Sequence, residues 1–193
     1  MNLMTKPKST IIGVTGMPGS GKSEFAKFAE ELGYHTVVMG DVIRAKVVEE
    51  GFEPTPEMSR KYMLKLREEL GETAVAHLTC SAIEKLKQQG IYRIIIDGIR
   101  SQAEVNHFKE HLNNDFLIVA IHVDPILRYE RLRVRGRKDA PQTEEDFRLR
   151  DDSELKLGLG ETIAFSNYVI PNNSAIEYFR EQSLSLLKEL DKR

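Results

Sequence analysis

The sequence contains no tryptophan and a single cysteine, Cys80. One thiol cannot close an internal disulfide, which excludes the disulfide-stapled secreted class and points to a reduced, cytoplasmic setting. Cys80 sits in Ala76-His77-Leu78-Thr79-Cys80-Ser81-Ala82, which reads as helix interior, so packing rather than chemistry is expected of it. No apolar run approaches the roughly 18 residues that a membrane span needs. Residues 1–9 carry two lysines but no apolar stretch, and read as a loose start rather than a secretion signal. Charge of one sign is not in excess either. The 28 basic and 30 acidic side chains leave a net charge of −2, which argues against general electrostatic binding to nucleic acid or to an anionic membrane. No internal repeat, low-complexity block or linker interrupts the chain.

What is present is a soluble chain of 193 residues, 40% hydrophobic and 30% charged, enough for one domain with a real core. Strand and helix signals alternate. Strands are predicted over 11–15, 36–39, 91–96, 116–123 and 167–170. Helices are predicted between them, starting at Lys22, at Asp41 acting as a cap, at Thr55-Pro56, and at Asp124-Pro125. Others are expected up to Gly90, after a Ser101…Glu104 capping box, over 144–155, and after a Ser174…Glu177 box. Alternation of this kind predicts an α/β fold: a parallel five-stranded sheet with helices on both faces. Two regions break the alternation, a helical excursion over 41–90 and a basic segment over 128–138. Both are expected outside the sheet at its C-terminal edge, where open α/β folds bind ligands. The core is then 10–40, 91–127 and 164–193.

The strongest signal is Gly16-Met17-Pro18-Gly19-Ser20-Gly21-Lys22-Ser23, a full Walker A match between a strand and a helix. Its glycines let backbone N–H groups turn inward around phosphate oxygens. Lys22 is placed to reach the β- and γ-phosphates and the Ser23 hydroxyl to ligate Mg²⁺. The helix N-terminus adds a favourable field for an anion. Asp97 ends the buried run Ile94-Ile95-Ile96, the position from which a Walker B carboxylate holds Mg²⁺ directly or through water. Arg44 and Arg100 each follow the end of a predicted element on the same side of the sheet. A forked guanidinium suits a phosphate better than an ammonium does.

These motifs resemble the nucleoside monophosphate kinase group, which includes adenylate kinases and dephospho-coenzyme A kinases. The overall pattern is closest to archaeal-type adenylate-kinase-like nucleotide kinases. Gly40-Asp41-Val42-Ile43-Arg44 looks like the adenylate kinase segment in which an Asp caps a helix and an Arg binds the acceptor phosphate. Asp97-Gly98-Ile99-Arg100 looks like that family's Asp-Gly-Phe-Pro-Arg, one residue shorter. Tyr168-Val169-Ile170-Pro171-Asn172-Asn173 resembles the last strand and adenine-side loop of dephospho-coenzyme A kinases, as Val38-Met39-Gly40-Asp41-Val42-Ile43 resembles their second-strand segment. The resemblance implies a P-loop NTPase fold with a helical acceptor-binding insert. It also implies acceptor contacts from Asp41, Arg44 and Arg100, and a nucleotide contact from Asn172.

The segment 128–138 holds six basic residues against one acidic. Arg128, Arg131 and Arg135 share a helix face by spacing. The segment resembles the lid of these kinases, over about 128–145, with Gly136 as a hinge. By that resemblance Arg131 and Arg137 join Lys22 and Asp97 as catalytic candidates. A solvated helix paired to Glu144-Glu145-Asp146 is the alternative. Few aromatics interleave the arginines, which weakens a nucleic-acid reading. His107 and His111, four apart, have no third metal ligand nearby in sequence and read as a solvated face. The methionines and leucines over 58–70 read as packing, on a helix that is a candidate wall for the acceptor site.

The expected function is Mg²⁺-dependent phosphoryl transfer from ATP to a small nucleotide-type acceptor, with a nucleoside monophosphate favoured. Dephospho-coenzyme A and, from another class, a nucleotide-operated switch or assembly ATPase stay open. The acceptor, the donor base and the oligomeric state are not legible at this level.

Overall fold

The computed structural model describes residues 9–112, 116–135 and 140–192. Five strands run β1 (Thr10–Thr15), β2 (His35–Val38), β3 (Arg93–Asp97), β4 (Leu117–His122) and β5 (Tyr168–Pro171). They form one sheet in the order β2-β3-β1-β4-β5, and every pairing is parallel. β1 therefore lies at the centre, with Val14 in register with Asp97 of β3 on one side and with Val119 of β4 on the other.

The apolar runs explain the layering. Side chains alternate across a strand, so a run buried on both faces feeds two cores. Ile11, Ile94, Ile96 and Ile118 join one hydrophobic cluster. Ile12, Val14, Ile95, Val119 and Ile121 join the other. The second is closed by α1 (Lys22–Glu30) and α9 (Ile176–Lys192), through Phe25, Phe28, Phe179 and Leu187. The first takes in α2 (Met39–Glu49), α3 (Pro56–Leu70), α4 (Ala74–Gln88) and α5 (Gln102–Leu112). Phe25, Phe108 and Phe179 are wholly buried, each contributing roughly 1.5–3 kcal/mol. Between β4 and β5 lie α6 (Pro125–Val134), α7 (Glu144–Lys156) and α8 (Leu159–Ala164). Among the described residues no helix is long and apolar enough to cross a membrane.

The parallel five-stranded sheet and its two helical layers match the expectation from sequence. The region 41–90 is less separate than expected, because Ile43, Val47, Leu66, Val75 and Ile83 share one cluster with the strand residues. Local capping matches at Thr55, whose hydroxyl accepts from the Met58 N–H, and at Asp124, whose carboxylate accepts from the Ile126 N–H. It fails in two places. Asp41 is not a cap: β2 passes into α2 without a loop, Val38 is the cap residue, and Asp41 falls at the third helical position. Ser174 does not box α9 either, since the first-turn bonds run from the Tyr178 and Phe179 N–H groups to the Ala175 carbonyl, one residue later. The short helix α8 carries no sequence signal that predicts it.

Candidate active site

The C-terminal ends of β1 and β3 open beneath the N-terminus of α1, and the turn between β1 and α1 is the Gly16–Ser23 loop. Its shape depends on glycine at two close approaches. Gly21 caps α1 at φ 106°, and a Cβ there would lie 2.3 Å from the Asn172 Nδ2. Gly19 has φ 82°, and its Cβ would lie 2.9 Å from the Arg128 carbonyl oxygen of α6. Any other residue type would be strained by the left-handed backbone and by those contacts. Asn172 supports the loop from below. It is 4% exposed, and its Nδ2 donates to the Ser20 carbonyl at 2.9 Å.

Two cavities flank the loop. The first, of about 390 Å³, lies between the loop, the end of β3, and helices α2, α3 and α7. The second, of about 510 Å³, lies between the loop and α6. Gly19, Lys22, Ser23, Leu132 and Arg135 line both. An atom passed from a ligand in one cavity to a ligand in the other would cross at these five residues.

Lys22 stands in this shared wall, its Nζ donating to the Gly16 carbonyl at 2.6 Å and the Met17 carbonyl at 3.3 Å. Burial lowers its ammonium to about 8, against the opposing pull of Asp97. Asp97 is 9% exposed, and burial raises its carboxyl, with Lys22, Arg100 and Arg135 acting in the other direction. Its Oδ1 is buried and accepts no hydrogen bond. A buried carboxylate oxygen without a donor is costly unless something cationic meets it. Asp97 and the Ser23 hydroxyl are hard oxygen donors of the kind Mg²⁺ takes. Among the described residues no three acidic, histidine or cysteine side chains converge to hold a metal ion. A Mg²⁺ here would depend on water and phosphate oxygens for its remaining ligands, as is usual for that ion.

The first cavity is lined by five arginines, Arg44, Arg67, Arg100, Arg135 and Arg150. Three carboxylates, Asp97, Glu104 and Glu154, accompany them. Glu104 is 3% exposed and accepts from the Arg100 N–H at 2.8 Å. Arg100 Nε lies 3.4 Å from Glu154 Oε2. Arg67 brings a buried Nε that makes no hydrogen bond. With Lys22 the wall is net cationic, and it is suited to an anionic ligand.

The residues singled out from sequence do not all converge. Gly16, Pro18, Gly19, Lys22, Ser23, Arg44, Asp97 and Arg100 line the first cavity. Gly21 and Arg131 line the second. Met17, Ser20 and Asn172 belong to the loop and its support, and Asn172 faces neither cavity. Asp41 lines a separate groove beside β2 and is ion-paired with Arg44. Arg137, with Gly136 and Lys138, lies outside the described residues.

The basic helix divides its arginines by turn. Arg128 is buried against Asp151, Arg131 donates to the Asn172 carbonyl at 2.9 Å, and Arg135 reaches the Ser23 hydroxyl at 3.4 Å. Among the described residues of this helix the ion pair is Arg128 with Asp151, and Asp146 of the run at 144–146 closes a capping box with Thr143. Arg67, Arg150 and Glu154 enter the site without having been singled out, Glu104 was read only as part of a capping box, and Arg135 only as part of the basic helix face. Of the three not named, Arg150 and Glu154, four apart on one helix face, carried a signal in their spacing. His77 joins His107 and His111, with ring centroids 5.9 and 4.0 Å apart along the series.

This sheet order, loop and paired cavities define the P-loop kinase-like class. A family model described as an AAA domain matches residues 15–148. A UPF0200 protein of the archaeon Thermococcus kodakarensis is 42% identical over 183 residues, covering 93% of this chain and 97% of that protein. The chain belongs to the UPF0200 family. A shikimate kinase from Bacteroides thetaiotaomicron superposes with a TM-score of 0.58 at 18% identity, covering 95% of this chain and 99% of that one. A dephospho-CoA kinase from Campylobacter jejuni does so with 0.55 at 17% identity, covering 95% and 98%. At these identities the likeness is one of fold.

Proposed function

We propose that the protein transfers the γ-phosphoryl group of ATP to the phosphate of a small nucleotide, most simply a nucleoside monophosphate. The observation that carries this reading is the shared wall: Lys22, Ser23 and Arg135 stand where the two cavities meet. The donor takes the cavity under α6, with its phosphates in the loop. The acceptor takes the arginine-lined cavity, its phosphate held by Arg44 and Arg100 with Arg67 and Arg150 in reach. Ser23 and Asp97 would hold Mg²⁺, which would offset negative charge on the donor's phosphates. Lys22 and Arg135 supply the cationic field for the transferring group, where preorganised charge acts most strongly.

A monophosphate brings its own anionic oxygen as nucleophile, whereas a hydroxyl needs a base. Two of the three carboxylates of the arginine-lined cavity face other groups, and the third, Asp97, is assigned to Mg²⁺. Glu104 accepts the Arg100 backbone N–H, and Glu154 faces Arg100. Asp41, expected from sequence as an acceptor contact, lines a different groove. These features support the monophosphate over a sugar hydroxyl. The test is a panel of nucleoside monophosphates, dephospho-coenzyme A and small hydroxylated acids with ATP and Mg²⁺, read by product mass. A diphosphate product is expected. Exclusive mass gain on a hydroxyl acceptor would overturn the reading.

A further inference from the structure

Arg128 is the most deeply buried arginine of α6, at 4% exposure, and faces no cavity. Its guanidinium grips Asp151 of α7 with two bonds, Nη1 to Oδ1 at 2.9 Å and Nη2 to Oδ2 at 2.6 Å. Nη1 also donates to the Pro18 carbonyl at 3.2 Å. The plane lies over the Phe147 ring of α7, 4.9 Å from its centroid. One side chain thus joins the phosphate loop, α6 and α7. Asp151 is flanked by Arg150 and followed a turn later by Glu154, the two α7 residues with side chains in the acceptor cavity.

A buried ion pair is weak evidence for stability, because desolvation offsets most of the attraction, and apolar pairs of similar volume often do as well. What such a pair fixes is geometry, and a guanidinium fork fixes it in a plane. We propose that Arg128 and Asp151 are positioning residues: a strut that locks the phosphate loop to α7, so that donor cradle and acceptor-side groups keep one alignment. The inference rests on the loop being the donor site. Reacting groups tolerate little misplacement, and an error of about 1 Å costs on the order of 10²-fold in rate.

Hydrogen exchange read by mass spectrometry, with and without ATP and Mg²⁺, tests it without knowledge of the acceptor. In the wild type, ATP should slow exchange both in residues 16–23 and across α7. The double variant Arg128→Met/Asp151→Leu should melt within a few degrees of wild type and keep the ATP protection of 16–23. It should lose the protection of α7. With an acceptor in hand, its kcat should fall on the order of 10²-fold while the ATP affinity changes little. Should the double variant not fold, Arg128→Lys carries the same test, since it keeps the charge and loses the fork. Protection of α7 that survives in the variant, or that is absent in a wild type whose loop is protected, overturns the strut. A wild type with no ATP protection in the loop would bring down the donor assignment itself, and the strut with it.

Discussion

Lys22 shows how burial prepares a side chain for an anion. Its ammonium, lowered to about 8 by desolvation, lies well below the ordinary 10.5. A bound phosphate restores the charged form, so nucleotide binding takes up a proton above about pH 8. Affinity for ATP should be full below that pH and fall as pH rises, approaching about tenfold per unit. Stability of the unliganded protein runs the other way: the unfolded lysine holds its proton up to 10.5, so stability rises between about pH 8 and 10.5. Calorimetry in two buffers of unlike ionisation heat checks the proton uptake, and an affinity that stays flat to pH 10 would contradict it. Lys22→Met should abolish ATP binding and melt no lower than wild type at pH 7, since it removes a buried charge. Arg135→Ala should lower kcat by roughly 10²–10³-fold, and Arg131→Ala by less, because one Nη of Arg131 already donates to the Asn172 carbonyl. Equal losses from the two, measured at saturating substrates, would contradict the division of labour along α6.

At the scale of elements, legibility followed local chemistry. The loop 16–23 was readable because its backbone accepts only glycine at set positions, and β3 because a strand buried on both faces needs an unbroken apolar run. Thr55 and Asp124 announced their helices by capping them. Asp41 misled because its type suits a cap while the chain enters α2 three residues earlier, directly from an extended Val38. Helix α8, six residues long after a left-handed Gly158, has too few positions to show a period. The arginine-lined cavity was the least legible feature. Arg67, Glu104, Arg150 and Glu154 come from three helices, and only tertiary packing brings them together. Helix α7 is set by the Thr143–Asp146 box, with Asp146 bound to the Gln142 and Thr143 N–H groups. Thr143→Ala should cost about 1 kcal/mol, read as a lower melting temperature. No change would mean that the box does not hold the helix start.

The whole molecule places one loop at the centre of a parallel sheet, where the strand order turns from β3 to β4 on either side of β1. Ligands of open α/β folds meet at such a point. Here two cavities meet at a common wall that carries Lys22 and Arg135, the feature on which the proposed transfer between two bound molecules rests. A switch or assembly ATPase would need only one of them, and the arginine-lined first cavity would then have no substrate to meet. The most direct test follows phosphorus itself. A ³¹P NMR spectrum of the protein incubated with ATP, Mg²⁺ and a mixture of nucleoside monophosphates should show ADP accumulating with a second nucleoside diphosphate, its two phosphorus signals coupled. A spectrum showing inorganic phosphate alone, or a new uncoupled phosphomonoester when hydroxyl acceptors are added, would contradict the account.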